Sequence, residues 1–373
     1  MIAPLTLNVP KCIEFGSGKL STLPFHLEGK SRIFFLVDAP ILGRIEPLIA
    51  ELKNAGKSVL VSTDVVPEPP LEALEVLLAP VREFSPEAIV GVGGGSALDL
   101  AKLVAVLFDG RQKTLDIIGI GKVTGRNVRL ISVATTAGTG SEVTPIAILT
   151  DTQAKLKKGV VSQYLIPDIA IVDPDLTLTL PPAVTAATGM DAMTHCIEAV
   201  LTPLVHPPAE AIGIDGAERI GKYLERAVKD GADRDARWHM MMGSFEGALA
   251  FAKGLGAVHG LSHALGRIHA LKLHHGTLNA VILPHSLAMI GNAAEEKFAR
   301  LRRALGLPPG ADLAQYITDL NARLGLPASL SAMGVTEAHW PGTREYAVSD
   351  LATMSNAVPF DGEKYDELFK RAL

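Results

Sequence analysis

The chain has 373 residues, 48% of them hydrophobic and 20% charged, with a formal net charge of −5. That is enough for two domains with sizeable cores, and it excludes a nucleic-acid binder, which needs a clustered basic face; the longest basic run is Lys155, Lys157 and Lys158. No stretch is long and apolar enough to span a membrane, MIAPLTLNVPKC lacks the pattern of a secretory signal, and two distant cysteines, Cys12 and Cys196, fit a reducing cytoplasm rather than a disulfide framework.

In chain order, Ile33–Asp38 is an apolar run that predicts a buried strand, and Ile41–Gly56 has helical spacing with a glycine stop. Ser58–Val65 predicts a strand, Leu71–Phe84 a helix kinked at Pro80, Ala88–Gly93 a third strand and Ala97–Leu107 another helix. Val128–Thr136 and Ile169–Pro174 are further strands. Continuous apolar strands separated by amphipathic helices indicate a parallel sheet covered on both faces. After Leu180 strand-like runs nearly vanish. Helices are predicted at Thr185–Leu201, Ala209–Val228, Asp235–Lys253, His259–Ala270, Thr277–Ile290, Glu296–Leu305, Asp312–Leu324 and Arg344–Met354. The expected organisation is an α/β domain over 1–180 followed by an all-helical domain over 181–373.

AIVGVGGGSALDLAK (Ala88–Lys102) runs a buried strand into Gly93, Gly94, Gly95 and Ser96, where a helix begins. Consecutive glycines let backbone N–H groups converge on an anion, and the helix start adds partial positive charge. This predicts a pyrophosphate site; the plainer alternative is a tight turn that binds nothing. The usual dinucleotide fingerprint is only approximated, and it falls on the third strand instead of the first. Its acidic partner is either Asp38, at the end of the first strand, or Asp116. TTAGTGSEVT (Thr135–Thr144) is a second glycine-rich stretch, able to wrap a nicotinamide or a phosphate, or to be an ordinary polar loop.

Asp191 and His195 lie four apart and share a helical face, half of a site for a divalent cation. Such a pair alone is more often a solvated helix contact. A second stretch changes this: GLGAVHGLSHALGRIHALKLHHG carries His259, His263, His269, His274 and His275, five of the eleven histidines. Three imidazoles and a carboxylate suit Fe²⁺ or Zn²⁺ better than Mg²⁺. Composition alone does not say which histidines bind.

Taken together, GGGSALDLAK, TTAGTGSE, GMDAMTHCIEA and VHGLSHALG followed by HHGTLNAVILPH resemble the iron-containing (group III) alcohol dehydrogenases. The resemblance runs from Ile33 to about His285. It implies an α/β dinucleotide-binding domain with a parallel sheet, a helical metal-binding domain of the dehydroquinate synthase-like architecture, and a site between them. The implied cation ligands are Asp191, His195, His259 and His275. His275 carries the family's H-G pair, with His274 as the alternative because the loop GRIHALKLHH is two residues longer than usual. His263 matches a histidine near the site that could relay a proton, and His269 has no assigned role. Gly93, Gly94, Gly95, Ser96 and Asp99 belong to the implied cofactor site, as do Thr135, Thr136 and Lys157. Asp38 matches the acid that receives the adenosine ribose, which favours NAD over NADP.

The implied reaction is hydride transfer between nicotinamide C4 and an alcohol, aldehyde or hydroxy acid, with a cation, Fe²⁺ ahead of Zn²⁺, as Lewis acid. A small-molecule substrate, a homo-oligomer and a cytoplasmic setting complete the expectation. The pocket would draw on Thr144–Ile148, His239–Phe251 and Leu351–Phe360, the last replacing a T-N-P-R segment of many members. Maleylacetate reductases are similar, but the aspartate of GMDAMTH argues against that branch. A non-catalytic nucleotide-binding regulator would not need the ligand set, and a histidine-rich storage module would not need the glycine loops.

Overall fold

The computed structural model describes residues 5–66, 69–151 and 156–373; Lys155 and the first four residues of the amino-terminal stretch lie outside them. The chain divides into two compact units. One is Asn8–Thr136 with Gly140–Thr177; the other is Leu178–Leu373 with residues 5–7 and Ala137–Thr139.

In the first unit, strands and helices alternate as β1 (Cys12–Phe15), α1 (Leu23–His26), β2 (Arg32–Val37), α2 (Leu42–Asn54), β3 (Ser58–Ser62), α3 (Leu71–Phe84), β4 (Ala88–Gly93) and α4 (Gly95–Leu107). They continue through β5 (Gly119–Ile120), β6 (Arg129–Ala134), β7 (Ile146–Asp151), β8 (Leu156–Val161) and β9 (Ile169–Val172). Six strands form one sheet in the order β1-β9-β6-β4-β2-β3, every pair parallel. Phe34 and Leu36 of β2 join one hydrophobic cluster with α3 and α4, while Ile33, Phe35 and Val37 join another with α2. Side chains alternate between faces, so burial of both faces is what makes these strands read as unbroken apolar runs. Each fully buried aliphatic or aromatic side chain contributes about 1.5–3 kcal/mol.

The chain leaves β2 in one direction to pair β3 and in the other to pair β4, so the order reverses between β2 and β4. Ligands of open α/β sheets gather at the carboxyl ends of the strands at such a reversal. Asp38 follows β2 there, and Gly93 ends β4.

A smaller sheet, β5-β8-β7, was not predicted: β7 and β8 pair antiparallel, and LKKGVV carries no clean period-2 pattern to announce a strand. The short edge strand β1 was missed as well. The helix α3 continues through Pro80.

The second unit is helical: α5 (Pro182–Leu201), α6 (Pro207–Lys229), α7 (Arg234–Ala250), α8 (Ala257–Leu265), α9 (His275–Ile290), α10 (Glu295–Ala304), α11 (Leu313–Arg323), α12 (Arg344–Ser349) and α13 (Gly362–Ala372). Every residue of α5 from Thr185 to Leu201 is buried, as expected of a helix that packs against α6, α7 and α9. Two expectations are corrected. The helix expected over His259–Ala270 stops at Leu265, before Gly266, a poor helix former, and only a 3₁₀ turn covers His269–Leu271. The helix expected to reach Met354 stops at Ser349, because Asp350 turns the backbone and its carboxylate caps the next 3₁₀ turn through the Ala352 N–H. The final helix α13, capped by Asp361 accepting from the Lys364 N–H, was not predicted. Among the described residues, no helix is long and apolar enough to cross a membrane.

Candidate metal centre and nucleotide loop

At the carboxyl end of β4, Gly93 has φ +156°, Gly94 is extended, and α4 starts at Gly95. The first turn of α4 therefore presents the backbone N–H groups of Gly95, Ser96 and Ala97 without intrahelical partners. The Asp38 carboxylate accepts the Gly94 N–H at 2.8 Å. Burial pushes the Asp38 carboxyl above its usual range, and the Gly94 amide offsets this in part. Asp116, the alternative acid, lies in a 3₁₀ turn, Thr114–Ile117, and follows no strand.

The second glycine stretch begins beside this loop. The Thr135 N–H donates to the Gly93 carbonyl at 3.0 Å, and a Cβ on Gly94 would meet the Thr136 side chain at 3.4 Å. Asp99 is engaged inside the protein on both oxygens: it accepts from Ser141 Oγ at 2.6 Å and from the Ile148 N–H at 3.0 Å. Buried Lys102 donates to Thr144 Oγ1 and to the Ile146 carbonyl, and burial brings its pKa down to about 8. Burial likewise raises Glu142 to about 7. This network braces α4 against Ser141–Ile148. Lys157 lies on β8 of the small sheet, opposite Thr150.

In the helical unit, Asp191 Oδ1 lies 3.8 Å from His195 Nε2, 3.9 Å from His259 Nε2 and 3.6 Å from His275 Nε2. Asp191 and His195 come from one face of α5, His259 from α8, and His275 opens α9. The ligand atoms of Asp191, His195 and His259 all lie within 4.8 Å of one another. Four ligands at about 2.1 Å around a tetrahedral ion would be about 3.4 Å apart; the three edges from Asp191 come within a few tenths of an ångström of that, while His275 lies outside the group of three that shares the 4.8 Å limit. Asp191, His195 and His259 are buried, whereas the His275 side chain is 27% exposed and marks the accessible side. His274 is exposed at the cap of α9, and His269 is exposed in its 3₁₀ turn.

Burial holds the His195 ring down at about 4, which leaves it neutral and its lone pair available at ordinary pH. At His259, burial also pulls downward, but the Glu198 carboxylate more than restores it. Glu198 accepts from His259 Nδ1 at 2.5 Å and from the Val258 N–H at 2.8 Å. Sequence reading missed Glu198, although it sits seven residues after Asp191 on the same face of α5. Asn279, one turn after His275, was missed too. Its Nδ2 donates to Asp191 Oδ1 at 2.7 Å and approaches the Nε2 atoms of His259 and His275 at 3.2 Å each. Among the described residues its buried Oδ1 has no hydrogen-bond partner. One carboxylate and two ring nitrogens thus converge on a positively polarised group, as a donor set for a cation does.

His263 Nδ1 is held by Asp350 at 3.0 Å, and its ring stacks on that of His275 at 5.2 Å between centroids. The 351–360 region, expected at the substrate pocket, also secures α8: Ser355 Oγ accepts the Leu255 N–H and Asn356 Oδ1 the Ala257 N–H. Of the methionine row, Met240 and Met241 are core.

Two family models match the chain: "iron-containing alcohol dehydrogenase" over residues 10–174 and "Fe-containing alcohol dehydrogenase family, C-terminal" over residues 185–373. The match therefore continues well past His285. A 4-hydroxybutyrate dehydrogenase of Cupriavidus necator is 44% identical over 322 residues, covering 83% of this chain and 84% of the relative. A solved 1,3-propanediol oxidoreductase superposes with a TM-score of 0.94 at 31% identity, over 100% of both chains. A sulfoacetaldehyde reductase of Bifidobacterium kashiwanohense, solved in complex with NAD⁺, superposes with a TM-score of 0.90 at 27% identity, over 100% of this chain and 99% of the other.

Proposed function

The chain belongs to the iron-containing alcohol dehydrogenase family and is an oxidoreductase acting on alcohols, and from that premise we propose an NAD(H)-linked, cation-assisted hydride transfer between nicotinamide C4 and a small alcohol, aldehyde or hydroxy acid. The observation that carries this reading is the convergence of Asp191, His195, His259 and His275 within one helical unit. These four residues would hold the cation, Fe²⁺ ahead of Zn²⁺, since imidazole-rich sites suit both. When bound, such a cation supplies Lewis-acid polarisation of the substrate oxygen.

The remaining work falls to the chain's own residues. Gly93, Gly94, Gly95 and Ser96 would receive the pyrophosphate at the start of α4, with Thr135 and Thr136 beside it. Asp99 acts as a positioning residue, through Ser141 and Ile148, and Lys157 is assigned to the nucleotide by resemblance alone. Glu198 orients the His259 ring, and Asp350 orients His263, whose other ring nitrogen would carry a proton to or from solvent. Two free cysteines support a cytoplasmic setting, and family membership supports a homo-oligomer.

The test is a panel of alcohols and aldehydes, 4-hydroxybutyrate and 1,3-propanediol among them, run with NADH or NAD⁺ on cation-loaded protein before and after chelation. Chelation is expected to abolish turnover and leave NADH binding largely intact, because the glycine loop and the cation ligands belong to different units. Full turnover after verified removal of the cation would refute the mechanism.

Glu198→Gln should weaken cation affinity about 10–100-fold, read by competition with a chelator of known affinity. An unchanged affinity would mean that Glu198 serves only to cap the Val258 amide. Asp38→Ser is expected to shift the ratio of kcat/KM for NADH over NADPH toward NADPH by about 1–3 kcal/mol, since by the family resemblance this carboxylate would receive the adenosine ribose and repel a 2′-phosphate. A ratio that does not move would place the discriminating acid elsewhere.

A further inference from the structure

We infer that Cys12, Glu14 and His26 form a binding site of their own for a thiophilic divalent cation of the Zn²⁺ class, at the amino-terminal end of the large sheet. Cys12 and Glu14 are two apart on β1 and project to the same side. The helix α1 ends on His26 and brings its Nε2 to 3.1 Å from Glu14 Oε1. Cys12 Sγ is 4.0 Å from the same oxygen, and all three ligand atoms lie within 4.8 Å of one another. With metal–ligand distances of about 2.0–2.3 Å, tetrahedral edges are roughly 3.3–3.6 Å, so small side-chain rotations complete the set.

Lys19 occupies the other oxygen, Glu14 Oε2, at 2.7 Å, and the hydrogen bonds from Lys19 and His26 hold the Glu14 carboxyl below its usual range. The basic side chains nearby are engaged elsewhere: Lys11 and Arg126 with Asp168, and Arg129 with the His26 carbonyl. On binding, the Cys12 thiol gives its proton to solvent. Cys12 and His26 both line an open cavity of about 1020 Å³, which leaves the fourth position to water or an exchangeable ligand. The site is separate from the glycine loop: Cys12 begins β1, whereas Gly93 ends β4 in the same parallel sheet. A cation here would clamp the four-residue edge strand β1, which among the described residues pairs with β9 alone, to α1.

The experiment uses the reduced, chelator-stripped full chain titrated with Co²⁺. The donor set around Asp191 contains no sulfur, so a near-ultraviolet thiolate-to-cobalt charge-transfer band reports this site alone. The wild type should show the band; Cys12→Ser should lose it and bind one Co²⁺ fewer per chain, and His26→Ala should weaken its formation at least about tenfold. Cys196→Ser should keep it. In the unmutated chain, Zn²⁺ should slow alkylation of Cys12 by about tenfold or more. No band in the wild type, a band that survives Cys12→Ser, or alkylation indifferent to Zn²⁺ would overturn the site.

Discussion

Purified His259→Ala protein is expected to lose its divalent cation and, with it, about 10³-fold in kcat/KM for alcohol oxidation. The loss follows from several kcal/mol of charge stabilisation that a Lewis acid supplies, at tenfold per 1.36 kcal/mol. Two effects add at this position. The ring nitrogen 3.9 Å from Asp191 Oδ1 disappears, and Glu198, buried on α5, loses the imidazole 2.5 Å away. Leaving that carboxylate without its partner costs a further ~1–3 kcal/mol of stability, which a lower Tm would show. Metal analysis beside the activity assay separates the two. His275→Ala should behave in the same way with a smaller stability loss, since its ring is partly exposed. His274→Ala and His269→Ala should keep both cation and activity, because both rings are exposed. If His274→Ala emptied the site and His275→Ala did not, the assignment of the ligand on α9 would be wrong despite the 3.6 Å distance from His275 to Asp191.

Gly93→Ala should raise the Kd for NADH about a hundredfold while the cation content stays unchanged. A residue at φ +156° is in backbone space that only glycine enters without strain. A Cβ there would overlap the Asp38 carboxylate and sit 2.6 Å from the Ala97 Cβ. Either the loop shifts or Asp38 releases the Gly94 N–H, so the amides at the start of α4 no longer point together. Backbone strain of about 1–3 kcal/mol and one lost hydrogen bond to a charged group, about 1.5–3 kcal/mol, are of the size needed. Titration of NADH fluorescence measures the effect directly. A Kd within about threefold of wild type would remove the glycine loop from the nucleotide site.

Much of the molecule was legible in the sequence because the signals are local. An apolar run bounded by turns announces a strand buried on both faces, and Gly93–Ser96 announces a strand-to-helix turn with exposed amides. Asp191 and His195 announce themselves through helical spacing. The boundary near Leu180, where strand-like runs cease, is also a feature of composition. Elements that lacked a local signal, such as β7, β8 and α13, were missed. What only the tertiary structure decided is which side chains meet. The pairing of β2 with β4 sets Asp38 against the Gly94 amide, fifty-six residues away in sequence. The packing of α8 and α9 on α5 brings His259 and His275 within 4 Å of Asp191 and leaves the His269 and His274 rings exposed. It also brings in Glu198 and Asn279, whose residue types carry no signature of their own. Spacing along one helix is determined by the backbone repeat, whereas convergence of several helices depends on packing contacts that no short stretch of sequence encodes.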